Sequence, residues 1–150
     1  MYFAQTIVAA LLAATSAVAA PVADGPVNMM ATVPRVIFEH VVRNCDAGDN
    51  SCTTTFTINP QRFDKQYVSF VNTRNGDTPA SRNAGAAQSF GDYTITSGWS
   101  GQFGPGNGFT VFSVVDHKHK LITYPSYTDK QLANGQVVTP DQSYAPANLN

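Results

Sequence analysis

Breaks of glycine, proline, asparagine or aspartate punctuate this chain, and between them apolar and polar residues alternate. Alternation with period two sends successive side chains to opposite faces of an extended strand, so such a chain is driven to sheet and not to helix. Val36, Phe38, His40 and Val42 fall on one face of the first run, with Ile37, Glu39, Val41 and Arg43 on the other, more polar face. Thr53 to Ile58 reads as the returning strand, with Thr54, Phe56 and Ile58 inward, and Asn59-Pro60 ends it because proline cannot donate to a ladder. Tyr67–Val71, Tyr93–Thr96, Phe109–Val115 and Leu121–Tyr124 continue the series. The pattern predicts an all-β domain, a single small sandwich or barrel of about six to seven antiparallel strands.

The remaining segments read as connections. Asn72–Ser89, rich in Gly, Ala, Asn and Ser, has no periodicity and is expected to be a long loop. Ser97–Gly108 holds five glycines in twelve residues and the only tryptophan, Trp99. Thr128 is placed to N-cap one short helical turn, Asp129–Ala133, stopped by Asn134-Gly135. Val137-Val138 reads as an edge strand, and the residues from Pro140 as an extended, proline-spaced tail.

Met1–Ala19 is an apolar, alanine-rich run that ends in the small-x-small triplet Ala17-Val18-Ala19. It reads as a secretory signal peptide, with an apolar stretch too short for a spanning helix. The working chain is then expected to begin near Ala20, with a flexible arm over 20–32, a β domain over 33–150 and an extracellular location. In that oxidising compartment Cys45 and Cys52 should pair and clamp the turn-forming residues Asp46–Ser51. No further long apolar segment follows, so membrane insertion is not expected.

Charge narrows the partners. Charged residues are 13% of the chain, the net charge is −1, and the nine lysines and arginines are scattered. Nucleic-acid binding wants clustered base with interleaved aromatics, and that pattern is missing. The chemistry of catalysis is also thin. Glu39 is the only glutamate, and neither a carboxylate pair nor a Gly-x-Ser-x-Gly elbow can be singled out. His117 and His119, in Asp116-His-Lys-His119, would share one side of an extended segment and are the weak candidates for metal binding, with His40 or Asp116 as a third ligand. The competing reading is a polar hairpin turn. No cofactor is expected. In the glycine-rich run Trp99 and Phe103 can offer flat faces beside closely approaching backbone, with Tyr124 and Tyr127 as neighbours, a composition suited to carbohydrate. The alternative is a tight connection whose tryptophan caps the core.

The stretch Thr96–Asp116, with Tyr124–Gln131 and Val138–Tyr144, resembles small secreted proteins of filamentous fungi, a group that includes elicitors of the plant hypersensitive response. The likeness also covers the leader and the cysteine hairpin. It implies a secreted, disulfide-bearing β domain that acts by being recognised, at a host cell surface or in the apoplast. With the thin catalytic chemistry, the expectation is a non-enzymatic monomer whose partner is a host surface protein or a cell-wall glycan. Relatives carry a second cysteine pair that brackets the region of Gln66 and Ser89; this chain has none there, which leaves the loop Asn72–Ser89 less constrained. No catalytic residues come across with the resemblance.

Overall fold

A computed structural model describes residues 33–150. The expected leader and arm, Met1–Ala19 and Ala20–Thr32, lie outside the described residues. Ten strands follow in order: β1 Val36–Cys45, β2 Ser51–Asn59, β3 Gln66–Thr73, β4 Gly85–Phe90, β5 Tyr93–Ser100, β6 Phe109–Asp116, β7 Leu121–Thr123, β8 Ser126–Thr128, β9 Gln142–Tyr144 and β10 Ala147–Asn148. They make two antiparallel sheets, one ordered β3-β2-β1-β9 and one ordered β10-β7-β6-β5-β4, with β8 also paired to β6. The expected all-β sandwich is what the chain forms, and the strands beyond six or seven are short ones.

The alternating strands face each other across the core. Phe38, Phe56, Ile58, Val68 and Phe70 come from one sheet, and Tyr93, Ile95, Phe112, Val114 and Tyr127 from the other. Edge-to-face ring contacts run from Tyr144 to Phe38 (5.9 Å), Phe38 to Phe56, Phe56 to Phe112 and Phe112 to Phe70 (5.7 Å each), so the chain of rings crosses between the layers. Each such pair adds about 0.5–1.5 kcal/mol beyond its buried area.

Four expectations need correction. The face assigned to β1 reverses at His40, where a bulge shifts the register between Glu39 and Val42. His40 takes a left-handed φ of 53°, so Val41 turns into the core while His40 faces solvent. The stretch Asn72–Ser89 is not one loop: β3 extends into it, a 3-10 turn forms at Ala80–Arg82, and β4 lies on the sheet edge. Its alanines and glycine have little strand propensity, but pairing with β5 overrides that. The segment Val137-Val138 is not a strand; Val138 is buried, and its N–H donates to the Val41 carbonyl at 2.9 Å. The residues after Pro140 form β9 and β10, one on each sheet, and not a free tail.

The helical expectation survives in altered form. Gln131 N–H donates to Thr128 Oγ1 at 3.2 Å, and Gln131 Oε1 accepts the Thr128 N–H at 2.8 Å, a reciprocal capping box. The regular turn comes later, as a 3-10 turn at Ala133–Gly135. No helix among the described residues is long and apolar enough to cross a membrane.

Candidate recognition surface

Trp99 sits near the end of β5, paired with Thr110 of β6, where the sheet gives way to the glycine-rich turns. Its indole Nε1–H donates to both carboxylate oxygens of Asp129, at 3.2 and 3.0 Å. The capping box just described fixes the segment that carries Asp129. The Asp129 carboxylate also faces the Arg43 guanidinium of β1 at 3.8 Å. Burial pulls the Arg43 pKa down, while the charges of Asp129 and Asp49 oppose that. The Arg82 guanidinium lies 5.5 Å from the indole centroid, a cation–π contact from the 3-10 turn after β3. A Cβ added at Gly101 or Gly108 would come within 2.5 or 2.7 Å of the indole, so glycine is needed for the backbone to approach this closely.

Around this ring opens a concavity of about 560 Å³, walled by Trp99, Pro105 and glycine backbone, with Arg82, Asp129 and Lys130 also lining it. That is an ordinary size for a small-molecule site. Phe103 lines a different groove of about 410 Å³ with Phe109, Tyr127 and Tyr144, and the residue is 65% exposed. Tyr124 is exposed and lines neither, whereas Tyr127 is 2% exposed and packs in the core. The four rings Trp99, Phe103, Tyr124 and Tyr127 therefore do not form one platform. Trp99 is half-buried and lines the open concavity, and it is not part of the hydrophobic core cluster. Residues Arg43, Arg82, Asp129 and Lys130 gave no sign in the sequence of belonging to this site, because they arrive from separate segments.

The histidines lie at the other end of the β5–β6 hairpin, roughly 20 Å from Trp99 along the strand. His117 and His119 occupy the tight β6–β7 turn and not an extended segment, so they take different partners. His117 Nε2 shares a hydrogen bond with Thr94 Oγ1 at 2.8 Å. His119 donates Nδ1–H to Asp116 Oδ2 at 2.7 Å and its backbone N–H to Oδ1 at 3.0 Å. Its ring stacks on Phe63 at 3.5 Å. Asp116 thus ties the turn together, and burial together with the Asp116 charge pushes the Tyr93 hydroxyl up to about 12. Asp116 and His119 share a polar cleft of about 440 Å³ with Lys65 and Lys118, but neither His117 nor His40 lines it.

As metal ligands the two histidines are already engaged in part, His117 with Thr94 and His119 with Asp116. Among the described residues, the close group of potential ligands is Cys45, Asp49 and Cys52, whose sulfurs are joined in a disulfide and cannot ligate as thiolates. The pair itself is the one expected, with Cys45 and Cys52 directly opposed across β1 and β2. Its hairpin belongs to the Trp99 end. Asp49 accepts from Ser81 N–H at 2.8 Å and from Ser81 Oγ, which holds the 3-10 turn that carries Arg82.

Residues 37–149 match a family model described as Effector TSP1. Over 149 residues the chain is 47% identical to Effector TSP1 of Hypocrea virens, with 99% of each chain covered.

Proposed function

The chain belongs to the Effector TSP1 family, and from that premise we propose that it is exported and acts outside the fungal cell by surface recognition. Recognition takes place at the host cell or in the apoplast, it elicits a response there, and no catalytic step is involved. The observation that carries this reading is the held geometry of Trp99. Hydrogen bonds from the indole to Asp129 and a guanidinium over its face fix a large ring at the mouth of an open concavity. A ring held this way loses little freedom on binding, which is the property of an interface anchor. The disulfide and the leader support export.

The competing reading is a small hydrolase or metal protein using His117 and His119. It is less well supported, because the two imidazoles are held apart by separate partners. The test is infiltration of the purified chain from Ala20 onward into leaf tissue, beside an H117A/H119A variant and a W99A variant, each checked for retained fold by circular dichroism. The expected result is cell death from the wild type and from the double histidine variant, and a loss with W99A. A folded H117A/H119A protein that elicits nothing would return the question to chemistry at the β6–β7 turn.

A further inference from the structure

The concavity beside Trp99 carries an excess of positive charge. Arg82 and Lys130 both line it, and among the described residues neither has a carboxylate within ion-pairing distance. Its one acid, Asp129, is already engaged by the Trp99 Nε1–H and by Arg43. The positive charge left over is therefore available to a ligand. Beside Trp99 the rest of the lining is small and apolar, since Gly101, Gly104, Gly106 and Gly108 contribute backbone only, Ala133 a methyl group and Pro105 a ring. Arg82 is also oriented in advance by the indole beneath it. Arginine in a fixed plane is suited to two-point recognition of a carboxylate.

An apolar wall with an aromatic edge suits the C–H face of a pyranose, and two unpaired cations select a sugar that bears carboxylates over a neutral one. We infer that this concavity is a binding site for an acidic glycan, a chain of uronate units, with Arg82 and Lys130 taking the carboxylates and Trp99 and Pro105 the sugar face. The inference rests on the recognition reading above and names the chemistry of one partner. An acidic peptide would meet the two cations equally well but has no rigid C–H face for the wall.

Trp99 is the only tryptophan, so its fluorescence reports on the site directly. The test is titration of the mature protein with trigalacturonate, uncharged galactotriose and triglutamate, followed by calorimetry and by Trp99 emission. Arg82 and Lys130 are exposed, so an R82Q/K130Q variant keeps the fold. Trigalacturonate should bind and perturb Trp99, galactotriose and triglutamate should bind much more weakly, and added salt should weaken the complex. The double variant should lose about tenfold or more in affinity, as removal of charge-assisted contacts does. Absence of trigalacturonate binding, binding without change at Trp99, equal binding of either control, or an unaltered R82Q/K130Q variant would each overturn the assignment. A protein that still triggers the leaf response without binding trigalacturonate loses only this assignment, whereas one that binds it and elicits nothing loses the proposed function.

Discussion

Trp99 and Asp129, thirty residues apart in the chain, meet through a two-oxygen hydrogen bond from one indole N–H. The same carboxylate faces Arg43, whose side chain is 11% exposed. Asp129→Asn keeps the size of the side chain but removes the charge that compensates Arg43. Losing one partner of a partly buried pair usually costs more than the pair contributed, because the other charge stays desolvated. Asp49 also stabilises the Arg43 charge, so the cost should be about 1–3 kcal/mol and not the full penalty of a bare buried ion. Urea unfolding followed by Trp99 fluorescence gives the number. An unchanged midpoint would mean that the ion pair does not matter to the fold.

The closeness of the glycine-rich turns to Trp99 has its own consequence. A Cβ on Gly108 would lie 2.4 Å from Asp129 Oδ2 and 2.7 Å from the indole ring. Gly108→Ala must therefore displace either the carboxylate or the ring, a crowding cost of about 1–3 kcal/mol. Its expected signature is a red-shifted Trp99 emission with an unchanged far-ultraviolet spectrum, since the strands are not touched. Gly104→Ala is less useful as a control because its φ of 88° strains any side chain. Gly98→Ala meets nothing within 4 Å and should leave the emission where it is.

How far this architecture can be read from residues alone depends on where each strand finds its partner. β2 and β6 are buried on alternate positions over their whole length, so their periodicity is visible without knowing the neighbours. β4 pairs with its chain neighbour β5 but is a weakly apolar edge strand, whereas β8, β9 and β10 are short and take their hydrogen bonds from strands that are not their chain neighbours. Local pattern holds no information about such pairings. The reversal at His40 is hidden for another reason: a left-handed bulge residue is usually glycine, and here it is a histidine whose N–H is held by Asp141 at 2.9 Å. At the site, Trp99 stands out because a lone indole in a glycine run is unusual. Its partners arrive from β1, the turn after β3 and the capped segment after β8, so only folding reveals them.

Alkaline pH should weaken the sandwich through its buried tyrosines. The Tyr93 pKa is raised from 10.0 to about 12, by burial first and then by the charge of Asp116 and a hydrogen bond to it. A group whose folded pKa lies above its unfolded value stabilises fully below the unfolded value and loses that contribution as pH rises through the folded one. Stability should therefore fall between about pH 10 and 12, the window that those two values define. Tyr127, pushed up chiefly by burial, acts in the same direction. Tyr93→Phe should move the onset of alkaline unfolding upward, as read from circular dichroism against pH. Tyr127→Phe should do so at no cost near neutrality, because the Tyr127 hydroxyl is buried without a partner among the described residues. An onset unmoved in both variants would show that other groups govern the alkaline limit.

The disulfide should matter to the Trp99 end more than to the sheets. It closes the short loop Asp46–Ser51, and the loop-entropy relation puts its contribution at roughly 2.5 kcal/mol. The β1–β2 register continues well beyond the bridge, from Asn44↔Thr53 to Ile37↔Asn59, so the hairpin itself keeps many of its bonds when the bridge is cut. What the bridge restrains is Asp49, which holds a left-handed φ of 51° and binds Ser81 through its carboxylate and Ala80 through its carbonyl. Through that turn it positions Arg82 over Trp99. A C45S/C52S variant should therefore lose about 2–3 kcal/mol and show faster amide exchange around Ala80–Arg82. Trp99 emission should shift even under conditions where the strands remain protected. Treating the wild type with a thiol reductant should reproduce both changes. If exchange accelerates first in β5 and β6 instead, the bridge secures the sandwich and not the ring.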